Sequence, residues 1–325
     1  MIPNPQALAE ELADEYICSV CSKSTKEVLH NKLKQALQKE LEQATEAQTE
    51  EAKEAEKKAR HDRIFNALFK RLEPHEAKFA DMLKGVWEKE RKIIISNLKK
   101  LKKAYHPQAT KDPEDTVDQI LYPTVEFEAE LSDEAKALFI LIMDEAGRAE
   151  LASLGIDIAF DVHNPEVTKW LEEYTPMFSK RLEEVNIDKL RKELIEGLEK
   201  GESVPKLMKR VNENVFDKWN KQRAYDISQN QALRASNQAN LEAYRQSGVV
   251  HKKEWITHFT DGTCFWCGSL DGEVVALEKN FYDLGDTVEM EVDGKTERLY
   301  VDYENIERPP LHNRCRCAIG PWVEG

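Results

Sequence analysis

Four cysteines and a histidine fall in two short clusters: Cys264-Phe265-Trp266-Cys267 and, beyond an insert rich in strand formers, His312-Asn313-Arg314-Cys315-Arg316-Cys317. A C-x-x-C pair lets two sulfurs reach one ion from a single turn, and a remote H-x-x-C-x-C arm can supply the other corners of a tetrahedron. Thiolate and imidazole are soft donors and zinc imposes no d-electron geometry, so a structural zinc is the first expectation. More donors are present than a tetrahedron needs. Cys264, Cys267 and His312 would be joined by either Cys315 or Cys317; alternatively, the four sulfurs close the site without the histidine. Disulfides between the arms are the second expectation and a metal-free cluster of buried cysteines the third. In the first two cases the arms are stapled together, and the staple supplies much of the stability of a domain with little apolar mass.

Catalysis is not expected. A hydrolytic zinc keeps an open position and needs a general base. Asp261 and Asp271 are near enough in sequence to serve, but a thiolate-rich ion is a weak Lewis acid, and neither H-E-x-x-H nor H-x-E occurs. Cys18 and Cys21 form a second C-x-x-C in a helical stretch without a nearby partner and read as core packing. Trp255, Trp266 and Trp322 read as core or interface aromatics. No glycine-rich phosphate loop is present, and no small-molecule substrate is expected.

The chain has 325 residues, 41% of them hydrophobic, enough for more than one body with a real core. A net charge of −14 and a mean hydropathy of −0.64 argue against general attraction for nucleic acid and for protein partners. The longest apolar run, Leu138 to Met143, is too short for a bilayer, and Met1-Ile2-Pro3-Asn4-Pro5 lacks the regions of a signal peptide. No membrane contact and synthesis in a cytosol are therefore expected; reducing conditions there would leave the thiols available as ligands.

The elements that must position the clusters are mostly helical. Residues 6–73 contain neither Gly nor Pro, and Leu29, Leu33, Leu37 and Leu41 form a stripe, so a long arm is expected over 1–104. It includes a second amphipathic stretch, Phe79 to Leu101, which ends in Lys99, Lys100, Lys102 and Lys103. That basic run reads as a solvated helix end, with contact to DNA or to an acidic protein face as the alternative. His106-Pro107, Asp112-Pro113 and Tyr122-Pro123 predict an irregular linker over 105–130. A helical middle is expected over 131–247, with Ser132 as N-cap and Gly155, Gly201 and Gly248 as terminators. Ile156 to Val162 reads as a strand or extended piece. From 248 to 325 the texture turns to strands: His251 to Thr257, then Thr287 to Val292 and Arg298 to Val301 around the turn dipeptide Asp293-Gly294. The class is α+β: mostly helical, with a long N-terminal arm and a small C-terminal domain tied by the Cys/His cluster.

The series Trp255, Asp261, Cys264-x-x-Cys267, Leu270-Asp271-Gly272 and Pro309-Pro310-x-His312-x-x-Cys315-Arg316-Cys317 resembles the phage Mu F-like head morphogenesis family of minor capsid proteins. The resemblance runs from about Val185 to the end and leaves the arm outside. Where the family commonly shows an Arg-Thr-Glu-like element, this chain reads Ile227-Ser228-Gln229-Asn230-Gln231. A glutamate role there is not carried over. The resemblance implies a minor head protein of a tailed bacteriophage, located in the virion near the portal. Portal or major capsid protein would be its partner, with transient DNA contact and ejection with the DNA as further expectations. Some relatives append a toxin or enzyme domain after the Cys-Arg-Cys tail, whereas this sequence stops at Gly325. The rival readings are a virion-carried zinc enzyme, either a nuclease or a host-directed transferase, and a DNA-organising protein built on the Lys99 to Lys103 run.

Overall fold

A computed structural model describes residues 50–101, 112–260, 263–292, 294–302 and 304–322. Cys18, Cys21, the leucine stripe, Lys102, Lys103, Asp261 and Asp293 lie outside the described residues. The chain divides into two units, Met1–Ile64 and Phe65–Gly325. The described part of the first, 50–64, is helical.

Helix α1 spans Glu50–Leu101. Pro74 lies inside the helix. An interior proline removes a backbone hydrogen bond and costs about 3 kcal/mol. Burial of Leu72, Phe79 and Leu83 on either side of it, each worth about 2 kcal/mol or more, offsets that cost. The expected linker is also partly helical. Asp112 caps α2 (Pro113–Ile120), its carboxylate accepting from Glu114 N at 2.9 Å, with Pro113 in the first turn. Helix α3 (Thr124–Ser153) begins directly after Pro123, ahead of the expected cap at Ser132. These X-Pro pairs are helix starts rather than breaks, because a first-turn proline loses no intrahelical bond. Residues 156–161 carry no strand.

Helix α4 (Pro165–Glu199) is continuous through Pro176. Helix α5 (Val204–Val211) leads into π-helical turns at Asn212–Phe216 and Trp219–Arg223, and α6 (Ala224–Ser247) ends at Gly248, whose φ of 67° is the left-handed cap that glycine tolerates. The helical core joins α1, α3 and α4: Phe79 lies 5.5 Å from Phe139 and 5.9 Å from Phe178 between ring centroids. Helix α6 runs through the middle and is buried on all sides from Gln231 to Tyr244.

The C-terminal strands form two small sheets. In the first, β1 (Lys252–Ile256) lies between β2 (Val274–Ala276) and β5 (Ala318–Trp322), all antiparallel, with Trp255 opposite Ile319. The second is the hairpin β3 (Thr287–Val292) and β4 (Lys295–Tyr300). Between β1 and β2 sits the short helix α7 (Phe265–Leu270). The α+β class, mostly helical with a small strand region, is borne out.

Candidate functional site

The first arm grows directly from β1. Thr257, one residue past the strand, donates its hydroxyl to Cys267 O at 2.6 Å and its N–H to the Asp271 carboxylate at 2.8 Å. Cys264 caps α7, its Sγ accepting from Cys267 N at 3.3 Å. The C-x-x-C spacing therefore forms one helical turn, with both sulfurs on the same side of it. Asp271 and Gly272 close the turn back onto the sheet, Gly272 N donating to Trp255 O at 2.8 Å with φ at 82°. Asp271, weighed above as a general base, is thus engaged in holding the arm.

The second arm follows Pro309-Pro310 and buried Leu311. Cys315 N donates to His312 O at 3.1 Å, and Arg314 takes a left-handed φ of 63° to make the bend. His312 Nδ1 lies 2.7 Å from Asn313 O, an acceptor only, so Nδ1 carries a proton and Nε2 is turned to the sulfurs. Nε2 lies 2.9 Å from Cys264 Sγ and 3.2 Å from Cys267 Sγ.

Two triads result, Cys264 with Cys267 and His312, and Cys267 with Cys315 and Cys317; the donor atoms within each lie within 4.8 Å of one another. Cys267 belongs to both. Its sulfur is 3.7 Å from that of Cys315, far beyond the roughly 2.05 Å of a covalent bridge, and all four cysteines are free thiols. The cluster can hold a metal ion. Cys267, Cys315 and Cys317 are buried, whereas Cys264 and His312 remain half-buried at its edge.

The donors of the cluster are electrostatically coupled. The hydrogen bond with Cys267 and then that with His312 bring the Cys264 thiol down to about 4, while the bond to Cys264 holds the imidazole up to about 9. Hydrogen bonds to Cys264, Cys315 and Cys317 push Cys267 upward. A cation entering the cluster would displace these protons.

Helix α6 latches the second arm in place. Asn237 donates to Cys317 O and accepts from Ile319 N, both at 3.1 Å. Asn230 donates to His312 O at 3.3 Å, and Arg314 pairs with Asp226 at 2.6 Å. Arg316 pairs with Glu76 of α1 at 2.9 Å and lies 4.3 Å above the Phe69 ring. The two tail arginines thus bind carboxylates of α6 and α1. Trp255 is fully buried beside the cluster with Leu270, Val301, Ile306 and Leu311. Trp266 is half-buried against it, and Trp322 is exposed.

A groove of about 630 Å³ opens next to His312, lined among others by Trp219, Arg223, Asp226 and Asn230. Sequence reasoning missed it, although Ile227, Asn230 and Gln231, where the chain departs from the Arg-Thr-Glu-like pattern, also line it. Of the basic run, Lys99 and Lys100 lie exposed in the last turn of α1.

Residues 188–320, which contain the whole cluster and the helix that latches it, match the family model described as Phage Mu protein F like protein. Over that segment the chain is Mu F-like. Neither the curated proteins nor the solved structures yield a match. The Mu F-like segment begins in the last third of α4 and takes in α5, the π-helical turns, α6, α7 and all five strands up to Gly320. Glu76 and Phe69, which hold Arg316, lie before it. No helix among the described residues is long and apolar enough to cross a membrane.

Proposed function

We propose that this protein is a minor head protein of a tailed bacteriophage, a structural component acting in head morphogenesis at or near the portal and not an enzyme. The observation that carries the reading is the coincidence of the Mu F-like match with the Cys/His cluster and its latch. The C-terminal domain is, on this reading, a metal-stapled module that portal or major capsid protein contacts, made in the host cytoplasm and carried in the virion.

The metal is zinc. Cys264, Cys267, His312 and either Cys315 or Cys317 are its ligands. The donor geometry supports this: zinc–sulfur bonds of about 2.3 Å in a tetrahedron give sulfur–sulfur edges of about 3.8 Å, against 3.7 Å between Cys267 and Cys315. Zinc here would fix the two arms and supply no reaction.

Quantitative mass spectrometry and immunogold labelling of purified heads test the assignment. The protein should be found in heads at low copy, labelled at the portal vertex, and its deletion should give defective heads. Its absence from heads, or particles unaffected by the deletion, would remove the reading. About one zinc per purified chain, lost in the Cys264→Ser, Cys267→Ser variant, is expected for the metal.

A further inference from the structure

The β3–β4 hairpin is a sheet of its own; among the described residues no third strand pairs with it. Its register runs from Thr287 opposite Tyr300 to Val292 opposite Lys295. A two-stranded sheet standing alone in water is marginal. Strand β3 alternates strictly: Thr287, Glu289 and Glu291 are exposed, while Val288, Met290 and Val292 are half-buried.

The pairing pattern decides which backbone groups point outward. In a hairpin closed by a two-residue turn, the flanking pair exchanges both hydrogen bonds, and bonded and non-bonded pairs then alternate along the strands. Val292 and Lys295 are that flanking pair. Thr287, Glu289 and Glu291 therefore fall in non-bonded pairs, with their N–H and C=O groups directed away from β4. The Glu289–Arg298 ion pair of 2.6 Å sits at one of these positions, where side chains approach most closely. The outer edge of β3 thus offers a row of backbone donors and acceptors beside two exposed carboxylates, each with one partner on β4: Glu289 with Arg298, and Glu291, which accepts from the Thr296 hydroxyl.

That edge discriminates among occupants. Antiparallel pairing with β3 of a second copy would set glutamates against glutamates, which is destabilising across strands. Nucleic acid would bring phosphates to carboxylates. An extended protein segment with Lys or Arg opposite Glu289 and Glu291, and apolar residues between them, satisfies the backbone and the charges and extends the Val288, Met290, Val292 face. We propose that the open edge of β3 is a docking site for such a segment of another protein, basic at alternate positions and apolar between, which adds as a third strand.

The test uses the full-length chain and a labelled synthetic peptide alternating Lys and Val, compared by fluorescence anisotropy with a peptide of the same composition in block order. The alternating peptide should bind at least about tenfold more tightly, and the Glu289→Lys, Glu291→Lys variant should lose that preference. Glu289→Pro removes an outward N–H without breaking a β3–β4 bond, so it should weaken binding while leaving thermal unfolding in place. Equal binding of the two peptides, an unchanged preference in the lysine variant, or equal competition by a short DNA duplex would overturn the proposal. The glutamates would then only guard an edge against self-association. Should either variant unfold the hairpin, Glu289→Gln, Glu291→Gln, which keeps every backbone bond and sets no like charges opposite Arg298, decides the matter: an unchanged preference for the alternating peptide would overturn the proposal.

Discussion

At the scale of single residues, Cys267 and Asn237 carry more than their neighbours. Cys267 is the donor common to both triads, and it is buried while Cys264 is half-exposed. Cys267→Ser should therefore lower the thermal midpoint and the bound metal more than Cys264→Ser, as read by parallel melting curves and metal analysis. Asn237 satisfies a buried carbonyl and a buried N–H with one amide. Asn237→Ala leaves both without it and should cost about 2–3 kcal/mol in denaturant unfolding, whereas Asn230→Ala, which removes one longer bond near the surface, should cost about 1 kcal/mol. The cluster was legible because cysteine and histidine at these spacings point to a metal site or a disulfide, both of which bring the two arms together. Asn237 was not. Its partners lie 80 and 82 residues away, and an asparagine within a helix reads as surface until the chain is folded around it.

At the scale of elements, α6 shows why amphipathic reading fails at the centre of this fold. Ala, Ser, Asn and Gln alternate along it without an apolar stripe, yet it is enclosed from Gln231 to Tyr244. Its polar groups find partners on other helices, as when Tyr174 OH donates to Gln231 at 2.7 Å and Tyr244 OH to Glu150 at 2.8 Å. Strands β1, β3 and β4 were legible because strand formers and a turn dipeptide are local signals, whereas β2 and β5, which are defined by their pairing with β1, were not. The π-helical turns were not, since their extra residue is set by packing. They aim Arg223 between Trp87 and Trp219, 5.4 and 4.7 Å from the ring centroids, and its Nη1 donates to Asn186 at 2.7 Å. Asn186 also donates to Glu183 at 3.0 Å and to Glu90 at 3.5 Å. Burial pushes Glu183 up to about 7 and, with the charge of Glu183, raises Glu90 as well; burial brings Arg223 down to about 10. A carboxyl whose folded pKa exceeds its unfolded value holds its proton longer in the folded state, so stability falls as pH rises from the unfolded value of 4.5 to about 7. Chemical denaturation of Glu183→Gln across that interval should show a shallower fall than the parent chain, and an equal slope would place the titration elsewhere.

At the scale of the molecule, the Mu F-like segment and the folded unit do not coincide. The match begins at residue 188, whereas the compact unit begins at Phe65. Several supports of the cluster come from the intervening helices. Glu76 of α1 holds Arg316, Glu150 of α3 receives Tyr244, and the Phe160 ring lies 2.5 Å from where a Cβ on Gly147 would stand, so α3 and the chain after it pack with no room for a side chain. Helix α6 is enclosed partly by α3 and partly by β5. A fragment from Val185 to Gly325 would keep every cysteine and histidine of the cluster but lose α3 and with it the apolar cover that α3 gives α6. Metal can close the two arms, but it cannot replace that apolar cover. The fragment from Phe65 to Gly325 should therefore unfold in one cooperative transition and bind little of a dye for exposed apolar surface. The fragment from Val185 should bind the dye strongly and melt without a sharp transition even when loaded with zinc. A sharp transition and weak dye binding in the shorter fragment would mean that the cluster and its strands enclose α6 well enough by themselves, and that the preceding helices serve another purpose than supporting this domain.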